Sequence, residues 1–420
     1  MTVQRLLALL LLLAGFAPPI AAATGCSYTV GLVLELTGPA GEYGQAAAKS
    51  VAMALRDVND AGGIRGCRVV VATRDSQSLG TAAVDAANQL VQLSKVPLII
   101  GGDISAVTIP MLTAVTGPAR VVQISPAASS PRLTVLAQDP RSGGMFFRTI
   151  TSDSLQGTVA ARYALDRGLR RLAMIYVNND FGVDLSTEFA RAYRALGGTI
   201  TAAVPYNERQ SSYSAEATAA MAAPSDGLYL VSTPVDGATI ARAWLSQGGV
   251  RRFLLNDGMN SAEFITSVGA KFLNEAYGTS SGTTPTASTR YFSEQYRAFA
   301  QLDPASPAAD RAYDAAAIAA LAIAAAPRFE SVAIRDAVFR VTDPAGTVVH
   351  AGRDEFARAL ALIKAGRTIR YEGVIGPIVF DHNGDISGPF RLWRITGGVV
   401  TTVGERSAEE VRALRARLPH

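Results

Sequence analysis

Short apolar segments alternate with amphipathic segments along most of this 420-residue chain, and this alternation restricts the possible folds more than any other feature. Tyr28 to Leu34 is an apolar run of strand length, and Tyr43 to Asn59 then carries apolar residues at helical spacing. Arg68 to Thr73 and Thr81 to Leu93 repeat the pair. Strands that alternate with helices predict parallel β-α-β units, and therefore an α/β fold with a doubly wound parallel sheet.

The alternation restarts after Arg148, which predicts a second lobe of the same class. Its strands are expected at Arg171 to Val177, Thr199 to Val204, Gly227 to Val231 and Arg252 to Leu255. The chain is long enough for two lobes of ordinary size, and its 49% hydrophobic residues can fill two cores. Because ligands of such sheets bind beyond the carboxyl ends of the strands, loops that follow strands in both lobes should line one cleft.

The pattern changes again near Tyr277. Further helices are expected at Thr289 to Gln301, Ala308 to Ala325, Ile334 to Phe339 and Arg353 to Ala365. The tail is interpreted as a hairpin in which His382-Asn383-Gly384 joins strands at Ile378 to Asp381 and Phe390 to Thr396. The turn also resembles the start of a calcium loop, but Leu392 stands where the closing Glu belongs, so the hairpin is favoured.

The first residues have the organisation of an export signal. Arg5 provides a positive charge, Leu6 to Phe16 is an apolar core too short to span a bilayer comfortably, and Ala21-Ala22-Ala23 offers the small residues that signal peptidase needs. We expect cleavage after about Ala23 and a periplasmic protein, with an uncleaved N-terminal anchor as the alternative. Among later segments Ala315 to Ala326 comes closest to a membrane span, and its short Ala-rich sequence predicts a buried helix.

The two cysteines, Cys26 and Cys67, each stand just before a predicted strand. Neighbouring parallel strands that start at the same edge would bring the two thiols together, and an oxidising compartment would then favour a disulfide. Lipidation of Cys26 after Ala23-Thr24-Gly25 is the alternative, although the usual Leu three residues before the cysteine is missing.

Several function classes are disfavoured. The net charge is only +4 and the arginines are scattered, so no nucleic-acid patch or polybasic membrane anchor is expected. The glycines of the loop from Leu36 to Gly44 are spaced three and three, unlike a dinucleotide fingerprint. No hydrolase elbow, zinc-protease motif or phosphate loop occurs, and His350, His382 and His420 lie away from the strand-end loops. We therefore expect no enzyme activity, no cofactor and no metal.

The loops that follow predicted strands are the candidate binding elements. Ser105 in Gly101-Gly102-Asp103-Ile104-Ser105 is suited to cap the next helix, and the same helix start can bind an anion. The loop from Ile124 to Pro131 is rich in hydroxyls and small residues, so a ligand can approach its backbone closely. Phe181 is either a core residue or a wall of the cleft, and Asp257 either caps the following segment or meets a ligand amine.

These loops, taken in order, resemble the periplasmic branched-chain amino acid (Leu/Ile/Val-type) binding proteins of ABC importers, from Tyr28 to about Gly398. The pieces that carry the resemblance are Leu36-Thr37-Gly38-Pro39 with Tyr43-Gly44, Asn59 to Gly66, Gly101 to Ser105, Ile124 to Ser130, Phe147-Arg148-Thr149 with Asp153 and Gln156-Gly157, Asn179 to Gly182, Tyr313-Asp314-Ala315 and Phe380 to Asp385.

The resemblance implies a type I periplasmic binding fold: two doubly wound parallel-sheet lobes joined by a hinge with three crossings, near Arg148, Tyr277 and Glu372. The implied division is a signal peptide at 1–23, one lobe at 24–147 plus 277–372, and a second lobe at 148–276 plus 373–420.

The resemblance also implies a ligand site. Ser105 and Ser129 match hydroxyls that hold the ligand carboxylate, and the backbone of Ala127 matches a further contact. Tyr43 matches an aromatic residue at the cleft rim, and Asp257 stands where an acidic residue pairs with the ligand α-amino group. Two further positions depart from the family, since Phe181 and Thr233 stand where Tyr is found.

The expected function is delivery of a small amino acid or amide to the membrane subunits of an ABC permease, by a monomer that closes around its ligand. A first alternative is the same role with an aromatic or aliphatic carboxylate, which would leave Asp257 without a partner. A second is a sensory ligand-binding protein that acts with a membrane receptor.

Overall fold

The computed structural model describes residues 25–418, which form 14 β-strands and 14 α-helices. The strands are β1 (Ser27–Leu34), β2 (Arg68–Asp75), β3 (Leu98–Gly101), β4 (Val122–Ser125), β5 (Phe146–Arg148), β6 (Arg171–Val177), β7 (Thr199–Tyr206), β8 (Gly227–Val231), β9 (Phe253–Leu255), β10 (Ala276–Ser281), β11 (Thr347–Val349), β12 (Ile369–Tyr371), β13 (Phe390–Thr396) and β14 (Val399–Arg406). The predicted export signal lies outside the described residues.

The helices lie between these strands and cover both faces of the sheets. They are α1 (Gly41–Asp60), α2 (Gly80–Asn88), α3 (Ser105–Met111), α4 (Arg132–Ala137), α5 (Asp153–Asp166), α6 (Asp180–Ala195), α7 (Ser214–Ala220), α8 (Pro234–Ser246), α9 (Ala262–Val268), α10 (Ala287–Ala300), α11 (Ala309–Ala325), α12 (Ser331–Val341), α13 (Arg353–Lys364) and α14 (Ala408–Ala416). Within residues 25–418, none of them combines the length and hydropathy needed to cross a bilayer.

The first lobe is built on a parallel sheet with the strand order β2-β1-β3-β4-β5. Its strands β3 and β4 are buried on both faces, as expected where helices cover both sides of a parallel sheet. The helix expected near Ala315 to Ala326 is found as α11, a buried helix that packs against α1. The small side chains of α11 allow this close approach.

The second lobe is built on a sheet with the order β14-β13-β10-β9-β8-β6-β7. The strands from β10 to β7 are parallel, whereas β13 pairs antiparallel with both β10 and β14. The sheet is therefore mixed, and the expectation of a wholly parallel second sheet is wrong at this edge. A short pair, β11 with β12, lies apart from both sheets.

Two of the three predicted crossings fall at other positions. Tyr277 pairs with Leu254 and Arg394 inside the second sheet, so the chain returns to the first lobe only after Ser281. Likewise, Glu372 is not a crossing, because the following residues stay in the first lobe. There the Asp314 carboxylate of α11 accepts the backbone N–H groups of Val374 (2.8 Å) and Ile375 (2.9 Å).

The strand pairing therefore places the crossings at 149–152, 282–286 and 381–389. Each crossing carries the chain from one lobe to the other, and the three crossing segments run side by side. For example, Thr151 bridges to Ile386, and the N–H of Gly282 donates to the carbonyl of Pro389 at 2.7 Å.

The predicted tail hairpin is also wrong. Residues 378–381 form no strand, and the hairpin consists of β13 and β14, joined at Gly397 and Gly398. The segment from Asp381 to Asp385 is a loop that the Asp381 carboxylate closes by accepting the N–H groups of Asn383 (2.8 Å) and Asp385 (3.0 Å). This local bonding makes the loop compact without a partner strand.

Cys26 and Cys67 form a disulfide, as the spacing of the first two strands predicts. The residues that follow them, Ser27 and Arg68, are register partners in the parallel pair of β1 and β2. The bridge occupies both sulfurs, so it is incompatible with lipid attachment to Cys26.

The side chain of Arg148, at the end of β5, is fully buried beneath the first crossing. Its Nε donates to Asp385 Oδ1 at 2.6 Å, and its Nη1 donates to the carbonyls of Ala128 (3.2 Å) and Ser130 (2.9 Å). Its Nη2 donates to Thr134 Oγ1 at 2.9 Å. One guanidinium therefore holds the loop after β4 to the loop at the third crossing.

We expect Arg148→Met to lower the free energy of unfolding by about 3–5 kcal/mol, because it leaves Asp385 and two buried carbonyls without their donor. Arg148→Lys should recover only part of this loss, since an ammonium cannot reproduce the planar set of donors. Urea denaturation followed by circular dichroism measures both.

The matched control is Arg162→Met, which breaks the surface pair with Asp166, whose side chains are 50% and 30% exposed. Its effect should stay below about 1 kcal/mol. A loss of similar size in the two Met variants would contradict the anchoring role of Arg148.

Candidate functional site

The loops that follow the strands of the two sheets face each other across a cavity of about 540 Å³. In the first lobe these loops follow β1, β3 and β4, and in the second they follow β6, β8 and β9. This volume lies within the range of small-molecule sites, roughly 300–1,000 Å³. All seven residues singled out from the sequence line the cavity: Tyr43, Ser105, Ala127, Ser129, Phe181, Thr233 and Asp257. Their contact with a ligand remains a prediction.

Ser105 and Ala127 offer donors on the first-lobe wall. The Oγ of Ser105 accepts the N–H of Ser130 at 3.2 Å, which leaves its hydroxyl proton for another acceptor. Among the described residues the backbone N–H of Ala127 has no acceptor. The predicted helix cap at Ser105 is wrong, because Ile104 has extended backbone angles and is itself the N-cap residue. Ser105 is the first residue of the helix.

Ser129 is linked to a buried carboxyl group. Its hydroxyl donates to Oδ2 of Asp153 at 2.8 Å, and the N–H of Asp153 donates back to the carbonyl of Ser129 at 2.9 Å. Asp153 is completely buried, and burial, followed by the charge of Asp257, raises the pKa of its carboxyl group well above the ordinary value. Its other oxygen, Oδ1, has no hydrogen-bond partner in the described part of the chain.

On the second-lobe wall, Asp257 follows β9 and faces the cavity. Its Oδ1 accepts the N–H of Gly258 at 3.0 Å. Burial raises the pKa of Asp257, while this N–H, the charge of Arg311 and the side chain of Gln156 act in the opposite direction. The carboxylate therefore keeps acceptor capacity for a cationic group in a poorly solvated site.

Phe181 and Thr233 stand at the starts of two helices of the second lobe. Phe181 is in the first turn of α6 and also contacts the hydrophobic core, so both of its proposed roles are compatible with the structure. Thr233 is the N-cap residue of α8 and is 8% exposed. Its hydroxyl has no hydrogen-bond partner among residues 25–418, and it faces the same cavity.

Hydrogen bonds and an ion pair cross the cleft, so the two lobes are closed on one another. The hydroxyl of Tyr43 donates to the carbonyl of Gly258 at 2.8 Å, and Ser261 Oγ donates to Glu42 Oε2 at 3.0 Å. Arg132 pairs with Asp180 at 2.6 Å.

The structure adds cavity residues that the sequence reasoning did not single out, chiefly Asp103, Arg311 and Arg391. Asp103 had a usable signal, because it is an acidic residue directly after Gly101-Gly102 at the end of a buried strand. Arg311 and Arg391 had none, since they reach the cavity through α11 and β13, whose positions depend on long-range pairing.

Residues 27–399 match the family model described as periplasmic binding protein. Among curated proteins, the substrate-binding protein BasB of a chemotactic signal transduction system in Halobacterium salinarum is 28% identical over 362 residues, 84% of this chain and 83% of that protein. A Leu/Ile/Val-binding protein homolog 1 of Brucella suis is 29% identical over 243 residues, 57% of this chain and 63% of that protein.

Solved structures share the fold. The branched-chain amino acid transporter substrate-binding protein LivJ of Streptococcus pneumoniae, in complex with isoleucine, superposes with a TM-score of 0.73 at 23% identity over 91% of this chain and 99% of that one. An ABC transporter solute-binding protein of R. palustris, in complex with benzoate, superposes with a TM-score of 0.70 at 16% identity over 91% and 96%.

The expected type I periplasmic binding fold is confirmed by these superpositions together with the two-sheet topology. The family match covers almost all of the described chain, and it agrees with the motifs that the sequence presents at its strand ends. The chain therefore belongs to the periplasmic binding protein family.

Proposed function

We propose that this protein is the periplasmic solute-binding component of an ABC importer, and that it carries an α-amino acid or amide in the cleft between its lobes. It would act as a monomer and present its closed, ligand-bound form to the permease subunits in the membrane. Family membership supports a binding role outside the cytoplasm. The choice of ligand class rests on the cleft.

The observation that carries the proposal is the opposed chemistry of the two cavity walls. The first lobe offers the hydroxyl of Ser105 and the N–H of Ala127, which suit a carboxylate. The second lobe offers the carboxylate of Asp257, which suits an ammonium. A zwitterion that bridges these walls makes both sets of charge-assisted bonds only when the lobes are closed. Its binding therefore shifts the population toward the closed state.

Asp153 can adjust the first-lobe wall to the ligand. Because burial raises its pKa, the carboxyl group of Asp153 takes up a proton more readily than an exposed aspartate does, and in that form it carries no charge beside the ligand carboxylate. A protonated Asp153 can donate to Ser129, whose hydroxyl proton then becomes available to the ligand.

A sensory role is the second candidate function, and it is favoured by the similarity to a substrate-binding protein of a chemotactic system. Deletion of the gene separates the two roles. Loss of labelled-ligand uptake with intact chemotaxis supports import, whereas the reverse result supports sensing.

The ligand class is tested by Asp257→Ala. We expect neutral amino acids to raise the melting temperature of the wild-type protein, and we expect the variant to bind them about 10- to 150-fold more weakly, the equivalent of 1.5–3 kcal/mol for a hydrogen bond to a charged group. Thermal-shift screening followed by titration calorimetry measures both.

Benzoate is the matched control ligand, because it has the carboxylate and lacks the ammonium. If benzoate stabilises the protein and neutral amino acids do not, the ligand is an aromatic carboxylate and the amino-acid proposal fails. Unchanged amino-acid affinity in Asp257→Ala would refute the role of Asp257.

Closure is tested by Tyr43→Phe, which removes the hydrogen bond to the carbonyl of Gly258 across the cleft. Loss of one such bond, about 0.5–1.5 kcal/mol, should weaken the affinity for every ligand by the same factor of about 2 to 12. Titration calorimetry with ligands of different side chains measures this factor.

Tyr28→Phe is the matched control, because the Tyr28 hydroxyl bonds only within the first lobe, to Arg65 at 3.3 Å. Its affinity should equal that of the wild type. A ligand-dependent loss in Tyr43→Phe would show that this hydroxyl binds ligand and does not act through closure.

A further inference from the structure

The carboxylate of Asp103 lies unpaired on the first-lobe wall of the cavity. Asp103 is only 1% exposed, and neither of its side-chain oxygens has a hydrogen-bond partner among the described residues. Asp103 is nevertheless one of the residues that line the cavity. A buried carboxylate without a partner is strongly destabilising, so a site of this kind requires a cation or a proton.

A second buried carboxyl group lies directly behind Asp103. Glu35, at the end of β1, is completely buried and accepts the N–H groups of Asp103 (3.0 Å) and Ile104 (3.3 Å). Its bonds therefore hold the backbone that carries Asp103. The two side chains repel each other when both are charged, and the N–H bonds stabilise the charge on Glu35 rather than on Asp103.

The backbone that precedes Asp103 packs closely against its neighbours. A side chain at Gly101 would overlap the carbonyl of Val33, and one at Gly102 would come within 2.9 Å of Glu35 Oε1. Only glycines allow the strand end to approach β1 and α3 this closely. The close packing sets the position of the backbone from which the Asp103 side chain extends.

We infer that the ligand carries a second cationic group, an ammonium or guanidinium on its side chain, and that Asp103 pairs with it. The inference rests on the proposed function and narrows it to a basic amino acid. Asp257 on the second lobe would pair with the α-ammonium, and Asp103 on the first lobe with the side-chain cation. Both charges of the ligand would then meet fixed carboxylates in a closed, poorly solvated cavity.

An organic cation fits this site better than a metal ion. In residues 25–418 no group of three or more His, Cys, Asp or Glu side chains is arranged to hold a metal, so Asp103 and Glu35 have no third ligand. A single ammonium or guanidinium needs only one or two carboxylate oxygens and can bring its own remaining hydrogen-bond donors to the neighbouring hydroxyls.

The test compares lysine, norleucine and cadaverine by titration calorimetry on the wild-type protein. Norleucine has the same α-amino acid group without the side-chain ammonium, and cadaverine has two ammoniums without the carboxylate. We expect lysine to bind at least about 10-fold more tightly than norleucine, because it gains one buried charge-assisted pair. In Asp103→Asn this preference should disappear.

Asp85→Asn is the matched control variant, because it makes the same substitution on an exposed position of α2 in the same lobe. It should keep the lysine preference. Norleucine that binds as tightly as lysine to the wild type would overturn the inference and leave the proposed function intact. Cadaverine binding without lysine binding would support a cation site at Asp103 and refute the amino-acid proposal. Failure of all three ligands would overturn the inference, while the proposed function would then be decided by the thermal-shift screen against the other amino acids and benzoate.

A second prediction concerns pH. Burial raises the pKa of Glu35 to about 7, and burial and the neighbouring Glu35 raise the pKa of Asp103 well above its ordinary value. The remaining charged group that acts on the pair is Asp75, which raises the pKa of Glu35 further. The empty pair therefore binds protons more readily than two exposed carboxyl groups would, and a bound cation favours their release.

Lysine affinity should consequently fall as the pH drops through 7, by up to about 10-fold per pH unit for one linked proton, while norleucine affinity stays level. Calorimetry in two buffers with different ionisation enthalpies measures the protons released. Glu35→Gln should reduce the release. Lysine binding that is independent of pH and releases no proton would contradict the pairing.

Discussion

The guanidinium of Arg148 joins the binding loop after β4 to the third crossing between the lobes. It is fully buried, and its donors reach Asp385 at the third crossing and the carbonyls of Ala128 and Ser130 in the loop after β4. Ala128 and Ser130 alternate along this loop with Ala127 and Ser129. Ala127 and Ser129 are the residues that face the cavity. The cation is therefore a support beneath the binding loop, and it ties the shape of that loop to the hinge.

The charges around the cavity explain why a ligand is needed to complete the structure. Asp103 and Asp257 line opposite walls, Glu35 accepts the backbone N–H of Asp103, and Asp153, the first residue of α5, accepts the hydroxyl of Ser129. Burial raises the pKa of each of the four carboxyl groups, which means that the protein alone does not solvate their charges well. Of the two cavity arginines named above, Arg311 is already paired with Asp310 at 2.7 Å, and Arg391 donates to Thr283 Oγ1 at 3.1 Å. A cationic ligand supplies what these walls lack.

The position of the site could be predicted from the sequence, whereas part of its chemistry could not. Parallel strands bring their carboxyl ends to one edge, so each loop after an apolar run was a candidate, and the seven chosen residues do meet at one cavity. The crossing expected near Tyr277 lies later in the chain because β10, Ala276–Ser281, is a strand of mostly small and polar residues that contains no apolar run. Its existence depends on partners more than 100 residues later in the chain, such as Trp393 opposite Gly278.

The same dependence on distant residues hid the acidic pair. Asp103 and Glu35 are 68 positions apart, and nothing in either segment indicates that the two carboxyl groups are neighbours. Only the register of β1 against β3, which places Val33 opposite Gly101, brings one carboxyl group behind the other. The spacing of apolar residues indicates which positions of a helix or strand are buried. It does not indicate which polar side chains from different segments lie in the same buried site.

The contacts that hold the lobes closed are too weak to determine closure by themselves. Arg132 and Asp180 are 55% and 30% exposed, and a pair of this kind contributes at most about 1 kcal/mol. The bond from Tyr43 to Gly258 adds a similar amount. Closure also removes water from Asp103 and Asp257, which opposes it. A ligand that neutralises these carboxylates removes this desolvation cost and adds ion pairs that form only in the closed state. Asp103 and Asp257 therefore oppose closure of the empty protein and favour closure of the ligand-bound protein.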